Sequence, residues 1–434
     1  MMMKHKAQTA GVVGIGGGAH DATVCYVWTL NNIGGIETLL ARHGYLHKAQ
    51  GRPARLITCE GPMEAAYREV FEPVILLRRH ELDLPCVDDA EFEQTILSIA
   101  ARLADGCRYH FVFFNHLGAY IAARLAAMYE GSTTTLYILE DRILAPTRLE
   151  FVEKMNQSGM VIAMNEACVA GHRELYGYDL RPTPLIVPLG LDFPEIDAGR
   201  KRKSNNILTV ARLHPMKEYV FGLIDALAVL AKERHRPGLS LTIIGDGPFL
   251  EQLKELTRQR GVQDLVVFTG EISPDLLNSY YNQADVFVGM GTTILEASGR
   301  GVPSIVAIGH SKKFETHGFF CDTPGYTLGE AASGICPRDG VVFLRQLIDS
   351  EQLREEVSHA CRRKAVELFS GEASMKLLMD KLRSSRAAIT DVPLPTRPAR
   401  YGRLRRALKR LFRHHPSALA AGRWIRSLMG GADI

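Results

Sequence analysis

The chain has no run of about 18 apolar residues, so no segment of it reads as a membrane-spanning helix. It has no Cys-x-x-Cys pair, and its eight cysteines are scattered from Cys25 to Cys361. That scatter argues against a cysteine-held metal, and no metal site is expected. A chain of 434 residues needs no disulfides to make up for a small core. The thiols are therefore expected reduced and mostly buried, as in a cytoplasm. No repeat of solenoid period is visible. No recognition motif accompanies the basic residues, so no nucleic-acid partner is expected. The opening MMMKHKAQTAGVVGIGGG is basic and then glycine-rich, without a convincing cleavage site. Residues 1–22 read as a flexible leader rather than a signal peptide.

What is present is ordinary for a globular protein: 46% hydrophobic and 23% charged residues. The length points to two domains or more. A net charge of +4 hides a division. From Pro393 onward there are ten Lys/Arg against one Asp, while the first 392 residues carry 42 basic against 47 acidic groups. A mildly acidic body with a strongly basic tail implies a separate job or a separate partner for the tail.

Short β-branched and aromatic runs alternate with helical patterns along most of the body. TVCYVWTL, RLITCE, FEPVILL, YHFVFFNH, TTTLYILE, GMVIAMN and PLIVPLG read as strands of a first parallel sheet. Near Asp197 the polar stretch DAGRKRKSNN reads as a linker. Alternation then restarts with NILTVA, SLTIIG, LVVFTG, DVFVGM and PSIVAI as strands of a second sheet. The expected fold class is α/β, with two doubly wound Rossmann-like domains facing across a cleft. The expected boundaries are an N-terminal domain at 23–195, a linker at 196–205 and a second domain at 206–370. A helix at 371–392 would return toward the first domain, and a basic tail would occupy 393–434.

Ligands of open α/β sheets bind outside the carboxyl ends of the strands, and several motifs sit there. GIGGGA at 14–19 is followed by a strand rather than a helix, the wrong order for a dinucleotide fingerprint. NNIGGIE has the right order, with Gly34 and Gly35 opening a helix, although a tight turn would also ask for them. VARLHPMKE puts Arg212 and Lys217 just past a strand end. Two cations there suit a diphosphate, or are simply solvated surface charges. IIGDGP reads as a structural turn. In VFVGMGTTILEA the strand stops at Gly289-Met290-Gly291, and Thr292 and Thr293 open a helix whose amides would favour an anion. Glu296, about one turn inside, would accept hydrogen bonds from hydroxyls such as those of a ribose, or would only serve the helix end.

Four blocks of the second half stand in order at natural spacing: ILTVARLHPMKE, LTIIGDGP, VVFTGEIS and YYNQADVFVGMGTTILEASGRGVPSIVA. With these, residues 24–382 resemble the bacterial family-4 glycosyltransferases, retaining enzymes of the two-Rossmann GT-B fold. The first half matches more loosely, through VWTLNNIGGIE, HFVFFNH and LIVPLGLD. The resemblance implies transfer of a sugar from a UDP- or GDP-sugar to a hydroxyl acceptor, with retention at the anomeric carbon and no cofactor or metal. Arg212 and Lys217 would bind the donor diphosphate. The amides of Thr292 and Thr293, with Gly289, Met290 and Gly291, would border it. Glu296 would hold the ribose, and the backbone at Glu271 and Ile272 would meet the base. Gly34 and Gly35 would line the opposite wall. His116 would lie near the acceptor or sugar; read alone, it is a strand-end packing residue.

The chain departs from that pattern in two places. The family's first glutamate, aligned on Glu296, falls at Val288. The segment KKFETHGFFCDTPGYTLGE also differs, and Glu315 or Glu330 would be the replacement carboxylate. A double-displacement glycosidase site needs two carboxylates roughly 5 Å apart, and no clear candidate pair is visible. A nucleotide-sugar epimerase or hydrolase of the same fold remains a second reading. A non-catalytic scaffold of a polysaccharide assembly complex is a third. By analogy the acceptor would be a glycan or a lipid-linked hydroxyl used in cell-surface synthesis. Within 400–429, Leu404, Leu408 and Leu411 recur at helical spacing among Arg and Lys, with Trp424 beyond. That pattern suits a helix lying on an anionic membrane surface, or a solvated tail. The protein would then be cytoplasmic, peripheral at the inner face of the membrane.

Overall fold

The computed structural model describes residues 22–389, apart from 31–34, 79–88, 104–106, 140–148, 178, 197–205, 234–237 and 332–333. The expected leader, most of the expected linker, Gly34 and the basic tail lie outside the described residues.

The first sheet is built from β1 (Thr23–Trp28), β2 (Arg55–Cys59), β3 (Val74–Leu77), β4 (Tyr109–Phe113), β5 (Thr133–Ile138), β6 (Val161–Ala163) and β7 (Leu185–Ile186). Between them run α1 (Gly35–Ala49), α2 (Glu64–Val70), α3 (Asp89–Ala100), α4 (His116–Met128), α5 (Leu149–Gln157) and α6 (Glu166–Tyr176). The strands lie in the order β3-β2-β1-β4-β5-β6-β7, all parallel. Successive side chains of a strand point to opposite faces. On β1, Cys25 and Val27 join one core while Val24, Tyr26 and Trp28 join the other. Both faces are covered, which is why the strand is one unbroken apolar run.

The second sheet repeats the plan with β8 (Asn206–Val210), β9 (Ser240–Ile244), β10 (Val266–Gly270), β11 (Val286–Gly289), β12 (Ser304–Ala307), β13 (Glu315–Phe319) and β14 (Arg338–Asp339). Its helices are α7 (Tyr219–Glu233), α8 (Leu250–Arg260), α9 (Pro274–Gln283), α10 (Thr292–Gly299), α11 (Gly340–Asp349) and α12 (Glu351–Phe369), followed by α13 (Gly371–Ser384). The order is β10-β9-β8-β11-β12-β13-β14, with β13 antiparallel to both neighbours. This antiparallel edge was not expected from the sequence. ETHGF carries little of the branched apolar signal of a parallel strand.

The chain crosses between the two halves twice, and the crossings lie side by side. Leu191 N–H donates to Phe369 O and Gly371 N–H to Leu191 O, both at 2.9 Å. Ser374 Oγ donates to Pro188 O. Beyond this junction α13 packs Met375, Leu378, Met379 and Leu382 into the core beside β1 and α1. In each sheet the chain reverses its direction of winding at one place, between β1 and β4 and between β8 and β11. Those two switch points are where a ligand would enter.

Candidate functional site

At the second switch point, the loop after β8 is fixed by the turn after β9. Ala211 N–H donates to Ile244 O, Leu213 N–H to Asp246 O at 2.8 Å, and Phe249 N–H to Leu213 O at 3.1 Å. Gly245 and Gly247 hold φ of 132° and 148°, and a Cβ on either would collide with the Ala211 or Leu213 carbonyl. The Gly-Asp-Gly-Pro turn is structural, and what it holds is the loop carrying Arg212. Arg212 is exposed. Lys217 closes a short helical turn that His214 caps, with Lys217 N–H on His214 O at 2.7 Å. Burial lowers the Lys217 pKa to about 8; the Arg212 charge adds to this and Glu330 opposes it. His214 is also pushed down, by burial and then by Arg212, Lys217 and His310. The corner is strongly cationic.

Beside it, β11 ends in the Gly-Met-Gly turn. Gly289 leaves room for the Phe287 ring, and Met290 is buried. Gly291, at φ 70°, starts α10 with no side-chain cap, so the amides that open the helix meet no capping side chain. The Lys217 Nζ lies 4.0 Å from the point where a side-chain carbon on Gly291 would sit. Thr292 and Thr293 are the first two helical residues, and Thr293 Oγ1 donates to Met290 O at 3.2 Å. Glu296, the fifth, accepts from Tyr281 OH at 3.0 Å and lies 3.9 Å from the guanidinium of Arg42 on α1. Its carboxylate therefore pairs with Tyr281 of its own domain and Arg42 of the other, not with the helix end. Burial and then Glu296 push the Tyr281 phenol well up. Glu271 and Ile272 follow β10, Glu271 exposed and Ile272 partly so.

The opposite wall is different in kind. Gly35 is the exposed first residue of α1, with open space around it. Asn115 caps α4, accepting from Gly118 N–H at 2.8 Å and donating to Thr29 Oγ1 at 2.9 Å. His116 is the exposed first residue of α4, because β4 ends earlier, at Phe113. Asn165 caps α6 through Cys168 N–H. Its amide also donates to Glu330 Oε1 at 2.6 Å, and Glu166 accepts from Tyr326 N–H at 3.0 Å. Val288 is fully buried in β11.

Arg212, Lys217, Gly291, Thr292, Thr293 and Glu296 thus gather at one switch point, with Glu330 beside Lys217. Sequence reasoning missed Arg42, Tyr281, Asn115 and Asn165. An Asn between a strand and a helical run is a cap signature and would have found the last two. Arg42 has no local signal, since its partner is on the other domain.

The family model for "Glycosyl transferases group 1" matches residues 194–313. The alpha-monoglucosyldiacylglycerol synthase of Streptococcus pneumoniae is 25% identical over 193 residues, 39% of this chain and 42% of that protein. A GDP-mannose-dependent alpha-(1-6)-phosphatidylinositol monomannoside mannosyltransferase of Mycobacterium tuberculosis is 36% identical over 113 residues, 23% of this chain and 28% of that protein. The chain thus spans less than half the length of these relatives. The structure of HepE from Anabaena, in complex with UDP and glucose, superposes with a TM-score of 0.58 at 14% identity, covering 84% of this chain and 100% of that one. This last likeness shows the fold. Residues 194–313, with the cationic corner and the Gly-Met-Gly turn, are thus similar to the group 1 glycosyltransferases, within a chain of GT-B fold.

Proposed function

We propose that the chain transfers a sugar from a UDP- or GDP-sugar to a hydroxyl of a glycan or lipid-linked acceptor, with retention. The observation that carries this reading is the meeting of Lys217, Arg212 and the uncapped start of α10 at one switch point. As the bond to the sugar breaks, negative charge grows on the leaving diphosphate. Cations and helix amides already aimed there stabilise it without rearranging. The chain itself supplies that charge, so the step asks for no metal. Glu296, held by Tyr281 and facing Arg42, accepts hydrogen bonds from the ribose hydroxyls. Two relatives act on lipid-like acceptors by name, which supports a lipid-linked acceptor here.

Titration calorimetry with UDP, GDP, UDP-glucose and GDP-mannose, followed by product analysis with and without acceptor, tests the reading. Binding of one nucleotide series with acceptor-dependent product is expected. Acceptor-independent conversion would replace transfer by epimerisation or hydrolysis. No binding in either series would favour a scaffold. Residues 400–429 would bring the cleft to an anionic leaflet, each near-surface cation adding about 1 kcal/mol. Flotation with vesicles of graded anionic lipid should show salt-sensitive binding that a chain ending at Val392 lacks. Equal binding by both would remove the anchor.

A further inference from the structure

A sugar ring presents several hydroxyls, each a donor and an acceptor. Of the groups gathered at the diphosphate corner, Lys217, Arg212 and the α10 amides only donate, and the Glu296 carboxylate is already held by Tyr281 and faced by Arg42. A pocket of donors alone would leave the sugar's own O–H groups without acceptors, at a cost in affinity for each buried one. The strand beneath cannot help, because Val286, Phe287 and Val288 are all buried in the core.

The loop after β13 brings in a carboxylate. Leu328 O accepts from Gly291 N–H at 2.7 Å, and Gly329 O accepts from Gly309 N–H at 2.9 Å. Gly329 lies so close beneath the Gly-Met-Gly turn that a Cβ there would strike the Met290 side chain. Glu330 follows directly. One carboxylate oxygen turns back to Leu328 N–H at 2.7 Å, and the other takes the Asn165 amide from the opposite domain at 2.6 Å. Burial pushes this carboxyl up, and its hydrogen bonds and the nearby Lys217 charge oppose that. Glu315 has a different position: its carboxylate accepts from Ser311 Oγ at 2.6 Å, within its own segment.

We propose that Glu330 is the acceptor group of the donor-sugar pocket, taking hydrogen bonds from hydroxyls of the transferred sugar beside Lys217. Asn165 positions it from across the cleft, so the carboxylate is oriented when the two domains are together. A carboxylate has about four lone-pair sites; Glu330 accepts from Leu328 N–H, its own N–H and Asn165, so it can take a sugar hydroxyl without losing Asn165 or Leu328. This rests on the nucleotide-sugar reading above, and the experiment separates the two.

The full chain and its Glu330→Gln variant are titrated with UDP, GDP, UDP-glucose and GDP-mannose. The glutamine keeps the shape and removes the charge-assisted acceptor. In the base series that binds, the affinity for the nucleoside diphosphate should stay within about twofold or tighten, because a negative charge beside Lys217 is gone. Affinity for the nucleotide sugar should fall roughly ten- to a hundredfold, the size of one charge-assisted hydrogen bond. Asn165→Ala should move the nucleotide sugar in the same direction by a smaller factor. A purely structural Glu330 would weaken both ligands together. That parallel loss, or no loss in either, overturns the proposal while leaving the nucleotide reading intact. Failure of the unmodified chain to bind either nucleotide series overturns the nucleotide reading and this proposal with it.

Discussion

The two sheets share one strand order around their switch points, yet the helices there begin in opposite ways. On the first sheet, α4 and α6 open behind Asn115 and Asn165, whose side chains each take up one amide of the first turn, that of Gly118 and that of Cys168. On the second, α10 opens behind Gly291 with no capping side chain, and Lys217 sits beside it. A capped helix end has spent its donors on its own chain, while an uncapped one offers them to an anion. Topology supplies two similar crevices, and on the proposed reading the phosphate goes to the one whose helix start is left uncapped. The first sheet contributes groups of another sort: Arg42 toward Glu296 and Asn165 toward Glu330.

The largest effect should come from removing the cations that mark the second crevice. Lys217→Ala and Arg212→Ala should each lower turnover by on the order of a hundredfold, with folding retained, since each loses a charge-assisted contact to the leaving diphosphate. Steady-state kinetics with the donor found by calorimetry, alongside a melting curve, checks this. Full activity in both variants would end the assignment of the phosphate to this side.

Next in size is the carboxylate inside α10. Glu296→Ala should weaken nucleoside diphosphate binding by about 1.5–3 kcal/mol through lost ribose contacts. It should do so without a comparable loss of melting temperature. A collapsed melting temperature with unchanged affinity would mean that the Tyr281 and Arg42 contacts serve only the fold.

The difference in legibility between the two sides follows from the same physics. The second crevice is assembled from segments that are each short and local: a strand, a glycine turn and a helix start. Arg212, Lys217 and Glu296 therefore stand in recognisable blocks of sequence. The groups that complete the cleft pair over long separations. Asn165 and Glu330 are 165 positions apart, and neither carries a local mark of the other. Glu315 and Glu330 look alike in sequence; the hydrogen bonds to Gly291 and Gly309 that bring the second one under the turn are backbone bonds and leave no residue signature. Parallel strands such as β1 and β11 were legible because burial on both faces demands an unbroken apolar run. The antiparallel edge at β13 was hidden because it lies past the strands that carry that demand.

The charge state of Lys217 gives a subtler contrast. Its pKa is lowered to about 8, mainly by burial. On the proposed reading the diphosphate binds the ammonium form, so binding above pH 8 must take up a proton. Nucleoside diphosphate affinity should be flat just below pH 8 and fall above it, by up to about tenfold per unit. Lys217→Met should flatten that fall. A wild-type profile level through pH 9.5 would separate Lys217 from the bound phosphate.

The smallest effect on binding, and the sharpest test of the division between the two sides, is expected at Asn115. Its side chain accepts from Gly118 N–H and donates to Thr29 Oγ1, so it serves α4 and the end of β1. Losing a cap of this kind costs about 1 kcal/mol. For a domain of this size that lowers the melting temperature by roughly 2–4 °C. Asn115→Ala should therefore be measurably less stable, while its nucleoside diphosphate affinity stays within about twofold. The freed amides of α4 would face the same cleft, which is what gives the variant its value. If it bound the nucleotide more tightly, uncapping alone would be enough to make an anion site, and the division would rest on the caps themselves. If it bound more than tenfold more weakly at unchanged stability, Asn115 would be touching the nucleotide. The first sheet's crevice would then share the phosphate, and the contrast between the two helix starts would no longer explain where the donor goes.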